Sequence, residues 1–201
     1  GADGADFHIR DGSTIILRKR DDPALPPDVS EQPGVRETVW GVDSAESLDA
    51  LEKELSSDME VARDDDGTMH IRDPLGIGLG FRVFKRQEIV CEKAPTNTIG
   101  NVERWDANRK WYHQAEPKLI HHIGYAVPAK DIDTLSDFYC ERLNFRVTDI
   151  SKGLAVFLLA DGRQDHHTHR HSHGIKANRT VHVAPPLCHK QTKGQPGAAP
   201  G

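Results

Sequence analysis

No acidic residue follows Asp165. All 31 Asp and Glu side chains lie at or before it, and the stretch 166–201 adds only Arg170, Lys176, Arg179, Lys190 and Lys193 to its histidines. A folded enzyme domain rarely runs so far without a carboxylate, so this last stretch is chemically unlike what precedes it. Cysteine is scarce as well. Cys91, Cys140 and Cys188 are scattered and form no CxxC pair, which argues against a disulfide framework or a cysteine zinc site and suits reduced thiols in a cytoplasmic protein. The longest apolar run, Gly153–Ala160, is far too short to span a bilayer as a helix. At the N-terminus no basic segment leads into an apolar one, so no secretory signal is read there. The formal net charge of −5 gives no reason to expect nucleic acid as a partner. The chain does not open on Met, and it is expected to begin inside a longer protein.

What the sequence does have is an internal repeat. "HIRDGSTIILRKR" at His8–Arg20 recurs as "HIRDPLGIGLGFRVFKR" at His70–Arg86, and more loosely as "VFLLADGRQDHHTHR" at Val156–Arg170. Each copy is an apolar run, an Asp-Gly or Asp-Pro turn signal and a second run, the pattern of a β-hairpin. Ahead of the second copy, "RETVWGV" alternates as a strand does. It leads into "DSAESLDALEKELSS", where Asp43 and Glu46 have capping-box spacing and Leu48, Leu51 and Leu55 share a helical face. Ahead of the third copy come the strand "IHHIGYAVP", a helix burying Ile132, Leu135, Phe138, Tyr139 and Leu143, and the strand "FRVTDI".

The predicted fold class is therefore α+β, built of repeated β-α-β-β-β modules that form half-barrel sheets. Residues 1–86 hold the closing hairpin of a first module and a complete second one. Residues 87–117 are a connector in which Trp105 and Trp111 pack between domains. Residues 118–173 form the third module, and 174–201 an irregular tail. A lone module exposes an apolar face that a partner must cover. The third module has no evident partner in this chain unless the tail supplies one, so association with another copy, a homo-oligomer, is expected. "GIGLG" at 76–80 lies inside a hairpin and opens no helix, which argues against a phosphate loop. "DDDG" at 64–67 reads as a turn, since it lacks the downstream acidic ligand of a calcium loop.

In this order the pieces resemble the vicinal oxygen chelate superfamily, which includes glyoxalases, bleomycin-resistance proteins and extradiol ring-cleaving dioxygenases. Residues 119–168, with the strand His six residues before Pro128, the helix containing "FYCERL", the following "NFRVTDI" and the later "DHHT", look like the third module of a type I extradiol dioxygenase. The resemblance implies a small catecholic substrate, O2, and Fe(II), or Mn(II) in some members. It makes His122 the first metal ligand, with His121 its neighbour on the opposite face of the strand. It makes His182 the second ligand and His167 the acid/base, a role suited to an imidazole titrating near neutrality. The family's third ligand is a glutamate in a fourth module, and no acidic residue stands where it should. A 2-His-1-carboxylate centre needs that anion, so impaired activity is expected. Two alternatives remain: another metal-dependent activity of the same superfamily, of the glyoxalase or thiol transferase type, and a non-catalytic truncated or frameshifted product.

The tract "DGRQDHHTHRHSHG" at 161–174 divides at Thr168 on this reading. "DHHT" belongs to an active-site strand, whereas "HRHSHG" lies outside the ancestral fold and marks a frameshift or a truncated gene. His167, His169, His171 and His173 would share one face of an extended strand. Such a row of imidazoles could take up Zn, Ni or Cu opportunistically.

Overall fold

A computed structural model describes residues 4–29, 33–90, 97–103, 117–162, 168–173 and 178–182. The expected modular repeat is present in it. After an isolated hairpin of β1 (Gly4–His8) and β2 (Thr14–Arg18) come β3 (Glu37–Val42), α1 (Ala45–Leu55), β4 (Ala62–Arg63), β5 (Met69–Arg72) and β6 (Gly78–Val83). The unit recurs as β7 (His122–Val127), α2 (Ile132–Arg142), β8 (Arg146–Ser151), β9 (Ala155–Leu159) and β10 (His169–His173), and β11 (Asn178–His182) follows. The two sheets run β3-β6-β5-β4 and β11-β7-β10-β9-β8. In both units the first strand pairs in parallel with the fourth, and the fourth is antiparallel to the third.

The Asp-turn signals of the repeat act through one device. Asp11 Oδ1 accepts the Ser13 N–H, Asp73 Oδ1 accepts those of Leu75 and Ile77, and Asp161 Oδ1 accepts that of Gly162. Each carboxylate satisfies turn N–H groups left over by the strands. A glycine follows each at positive φ: Gly12, Gly76 and Gly162. These positions need the left-handed conformation that glycine adopts without steric cost.

The first helix is capped one residue later than expected. The Ser44 hydroxyl, not the Asp43 carboxylate, accepts the Ser47 N–H at 3.2 Å. Leu48 and Leu55 are buried, and Leu51 packs partly against the core, as the helical spacing requires.

One hydrophobic core serves both units. Leu48, Leu55, Met69, Ile71, Leu79 and Phe81 join Tyr125, Val127, Leu135, Phe138, Tyr139 and Leu158 in a single cluster. Trp40 on β3 meets Phe145 edge-on at 5.2 Å between ring centres, and the Thr38 and Tyr125 hydroxyls share a hydrogen bond. On the surface, Arg142 of α2 reaches Glu54 and Asp58 beside α1. No helix among the described residues is long and apolar enough to cross a membrane.

Two segments depart from the sequence expectation. His169–His173, within the third module's bounds but expected to lie outside the ancestral fold, is β10, an interior strand bonded to β7 on one side and β9 on the other. Backbone ladders need no particular side chain, and alternation lets every second residue turn away from the core. Asn178–His182, within the stretch expected to be irregular, pairs antiparallel with β7 and extends the third unit's sheet.

Candidate metal-binding face

Alternation along the strands of the third unit divides its residues between two faces. Tyr125, Val127, Val156, Leu158, His169 and His171 belong to the face packed on α2. His122, Gly124 and Ala126 of β7 therefore lie on the opposite face, with Ala155, Phe157 and Leu159 of β9 and with Arg170 and Ser172 of β10.

His122 opens β7 and is partly buried. β11 runs antiparallel beside it, with His182 directly opposite His122 in the register. Directly opposed positions of an antiparallel pair share a sheet face. The backbone thus juxtaposes the two positions expected to supply imidazole ligands. His121 behaves differently from expectation. It precedes the first residue of β7, so strand alternation does not govern it, and its Nδ1 lies 3.2 Å from that of His122. The rings meet edge to face at 5.5 Å.

His167, the expected acid/base, lies outside the described residues, as do Trp105 and Trp111. The next residue, Thr168, is firmly held: its N–H donates to the Leu158 carbonyl, its own carbonyl accepts from the Ile123 N–H, and its Oγ1 accepts from the Ala160 N–H. Among the described residues no group of three or more His, Cys, Asp or Glu side chains is placed to hold a metal ion.

The histidine row of β10 faces inward. His169 and His171 are both fully buried. The His169 ring stacks on Tyr139 at 4.5 Å, and its Nε2 stands 2.7 Å from that of His171. The Nδ1 of His171 bonds the Ser136 hydroxyl. Burial holds the His169 imidazole well below its usual pKa, with the neighbouring His171 adding to the effect. Burial alone lowers that of His171 to about 3. These two are neutral core side chains, so they offer no accessible row of imidazoles for opportunistic metal uptake.

Sequence reasoning missed Arg170 as a resident of the His122 face. The signal was available, because alternation places residue 170 opposite to 169 and 171 once that stretch is granted to be a strand.

No family model matches the sequence, and no curated protein does. Solved structures do match. The Mn(II)-bound glyoxalase from Novosphingobium aromaticivorans is similar with a TM-score of 0.56 and 19% identity, over 87% of this chain and 52% of that one. The 2,3-dioxygenase LapB from Pseudomonas sp. KL28 gives 0.56 and 16%, over 86% and 58%. The E323L mutant of homoprotocatechuate 2,3-dioxygenase from Brevibacterium fuscum gives 0.53 and 17%, over 87% and 45%. The chain spans about half the length of these proteins. Its two β-α-β-β-β units, alike in strand order, together with these likenesses give the chain the vicinal oxygen chelate fold.

Proposed function

We propose that the chain is a divalent-metal protein of the extradiol dioxygenase type, with a weak site at His122 and His182 and an impaired ring-cleaving activity. The observation that carries this reading is the register of β11 on β7, which sets His182 opposite His122. The metal would be Fe(II) or Mn(II), the substrate a small catechol with O2 as co-substrate, and His167, next in sequence to Thr168 just ahead of β10, the acid/base. The donor set stops short of a ferrous centre. Two imidazoles suit several divalent ions, but the anionic third ligand has no candidate after Asp165 and none clusters with them among the described residues. Weak binding and little turnover follow.

The test is a titration of the full chain with Mn(II), read by electron paramagnetic resonance, beside an assay of ferrous-loaded protein on catechol. The expected result is weak Mn(II) binding that both His122→Ala and His182→Ala weaken further, with trace ring cleavage. Binding indifferent to both substitutions would overturn the assignment. A second reading, a glyoxalase-type activity, draws on the likeness to the Novosphingobium glyoxalase. Turnover of a hemithioacetal in place of catechol would favour it. Absence of both metal retention and turnover would favour a non-catalytic product.

A further inference from the structure

We propose that Arg170 is the centre of a binding site for an aromatic carboxylate on the face of the third unit opposite α2. Arg170 sits in the interior of the sheet, paired with Gly124 of β7 on one side and Phe157 of β9 on the other. Its guanidinium folds across Gly124: a Cβ built on that glycine would meet Nε at 3.7 Å and Nη2 at 3.8 Å. The missing side chain at 124 leaves a floor on which the planar cation lies. Its Nε is buried and makes no hydrogen bond.

Elsewhere among the described residues the partly buried arginines are neutralised. Arg36 pairs with Asp28, and Arg142 with Glu54 and Asp58. Arg170 has no carboxylate partner among the described residues. Asp149, an acid on the same face one strand beyond Phe157, directs its Oδ1 to the Ile150 N–H. A cation held partly out of water with a donor unsatisfied is an incomplete arrangement, because removing charge and hydrogen-bonding capacity from water is unfavourable unless a partner restores both. An anion with two coplanar oxygens matches the guanidinium fork.

The flanks select among anions. Phe157 of β9 and Ala126 of β7, both half-buried, are the apolar side chains that this face offers beside the guanidinium. Such a bed receives an aromatic ring and offers nothing further to an inorganic oxyanion. The site stands without any metal, yet Gly124 is two residues along β7 from His122 on the same face, so a bound acid would lie beside the proposed cation position.

Benzoate is the probe, benzamide its neutral isostere and inorganic phosphate the oxyanion without a ring, each titrated calorimetrically into the full chain in a metal chelator. Benzoate should bind, benzamide and phosphate should not. Arg170→Gln should lower benzoate affinity at least tenfold, and Arg170→Lys should fall between, keeping the charge but losing the fork. A second measurement needs no variant. Phenylglyoxal labelling of Arg170 in the wild-type chain, mapped by mass spectrometry, should slow with benzoate and not with benzamide. Equal protection by the two, benzoate binding unchanged in Arg170→Gln, or phosphate binding as well as benzoate would each overturn the proposal. The chelator keeps its failure separate from failure of the metal site, which the Mn(II) titration reads.

Discussion

His169 and His171 face one another across 2.7 Å between their Nε2 atoms, inside the core that the two units share. At that separation one Nε2 carries the hydrogen and the other offers its lone pair, so both rings are neutral. An added proton would set two donors against each other in a place where water cannot screen them. Ser136 supports the pair at the Nδ1 of His171, while the Nδ1 of His169 has no hydrogen-bond partner.

Acid should unfold this protein earlier than its carboxylates alone would require. The folded pKa of both histidines is depressed, that of His171 to about 3, whereas an unfolded histidine titrates near 6.5. As pH falls through 6.5 the unfolded chain takes up protons that the folded chain refuses. Each histidine kept neutral then removes about 1.4 kcal/mol of stability per pH unit, down towards its folded pKa. Urea unfolding midpoints between pH 7 and pH 4 should fall along this slope, and a flat profile would contradict the buried neutral pair.

The same pair predicts a non-additive mutant cycle. His169→Leu alone removes an unpartnered Nδ1 but leaves the Nε2 of His171 orphaned, and His171→Val alone orphans both His169 and Ser136. An unsatisfied buried polar group costs about 1–3 kcal/mol, so each single variant should be less stable than wild type or no better. The double variant His169→Leu/His171→Val replaces both partners with apolar groups on an apolar face. It should be more stable than either single variant by about 1–3 kcal/mol and should lose much of the acid sensitivity. Chemical denaturation of the four proteins at pH 7 and pH 5 measures both effects.

His70 should respond to pH in the opposite sense. It lies on the second unit with Nδ1 2.7 Å from Glu37 and Nε2 3.1 Å from Asp64. Burial disfavours its protonated form, but the hydrogen bond and charge of Glu37, with Asp64 behind them, outweigh burial and raise its pKa above the usual value. Its contribution is therefore complete below about 6.5 and fades as pH rises through the elevated folded pKa. A histidine proton titration by nuclear magnetic resonance should place His70 above the ordinary value of about 6.5, and Glu37→Gln should bring it down.

The repeat made most of this architecture readable. An Asp followed within three residues by a glycine marks each turn because a carboxylate and a left-handed glycine are both needed there, and those two residue types survive in all three copies. Helix faces were readable from leucine spacing for the same reason: burial selects them. The histidine strand was not. Sequence alternation in β10 sets imidazoles where a core strand normally carries aliphatic groups, so polarity argued for exposure, and only the ladder between β7 and β9 shows the residues to be inside. On the candidate site, the spacing of His122 and His182 was legible but their cross-strand register was not, because register depends on where β11 begins to pair. His121 was misplaced for a local reason, standing one residue before the strand whose alternation was applied to it.

The junction of the two units contains one connection packed against the core and one exposed connection, of very different worth. Arg142 binds Glu54 and Asp58 with short ion pairs, but both acids are solvent-accessible, and exposed pairs are screened and give back side-chain entropy. Arg142→Ala should cost less than about 1 kcal/mol, less still in high salt. Trp40, in contrast, packs its indole edge-on against Phe145 and comes within 5.9 Å of His169. Removing so large a ring from a shared core leaves a cavity that neither sheet can close alone. Trp40→Ala should cost about 3–5 kcal/mol, independent of salt, and should lower the cooperativity of unfolding as the two units separate energetically. Calorimetric and denaturant unfolding of the two variants, each in low and high salt, would refute this ranking if Arg142→Ala proved the more damaging.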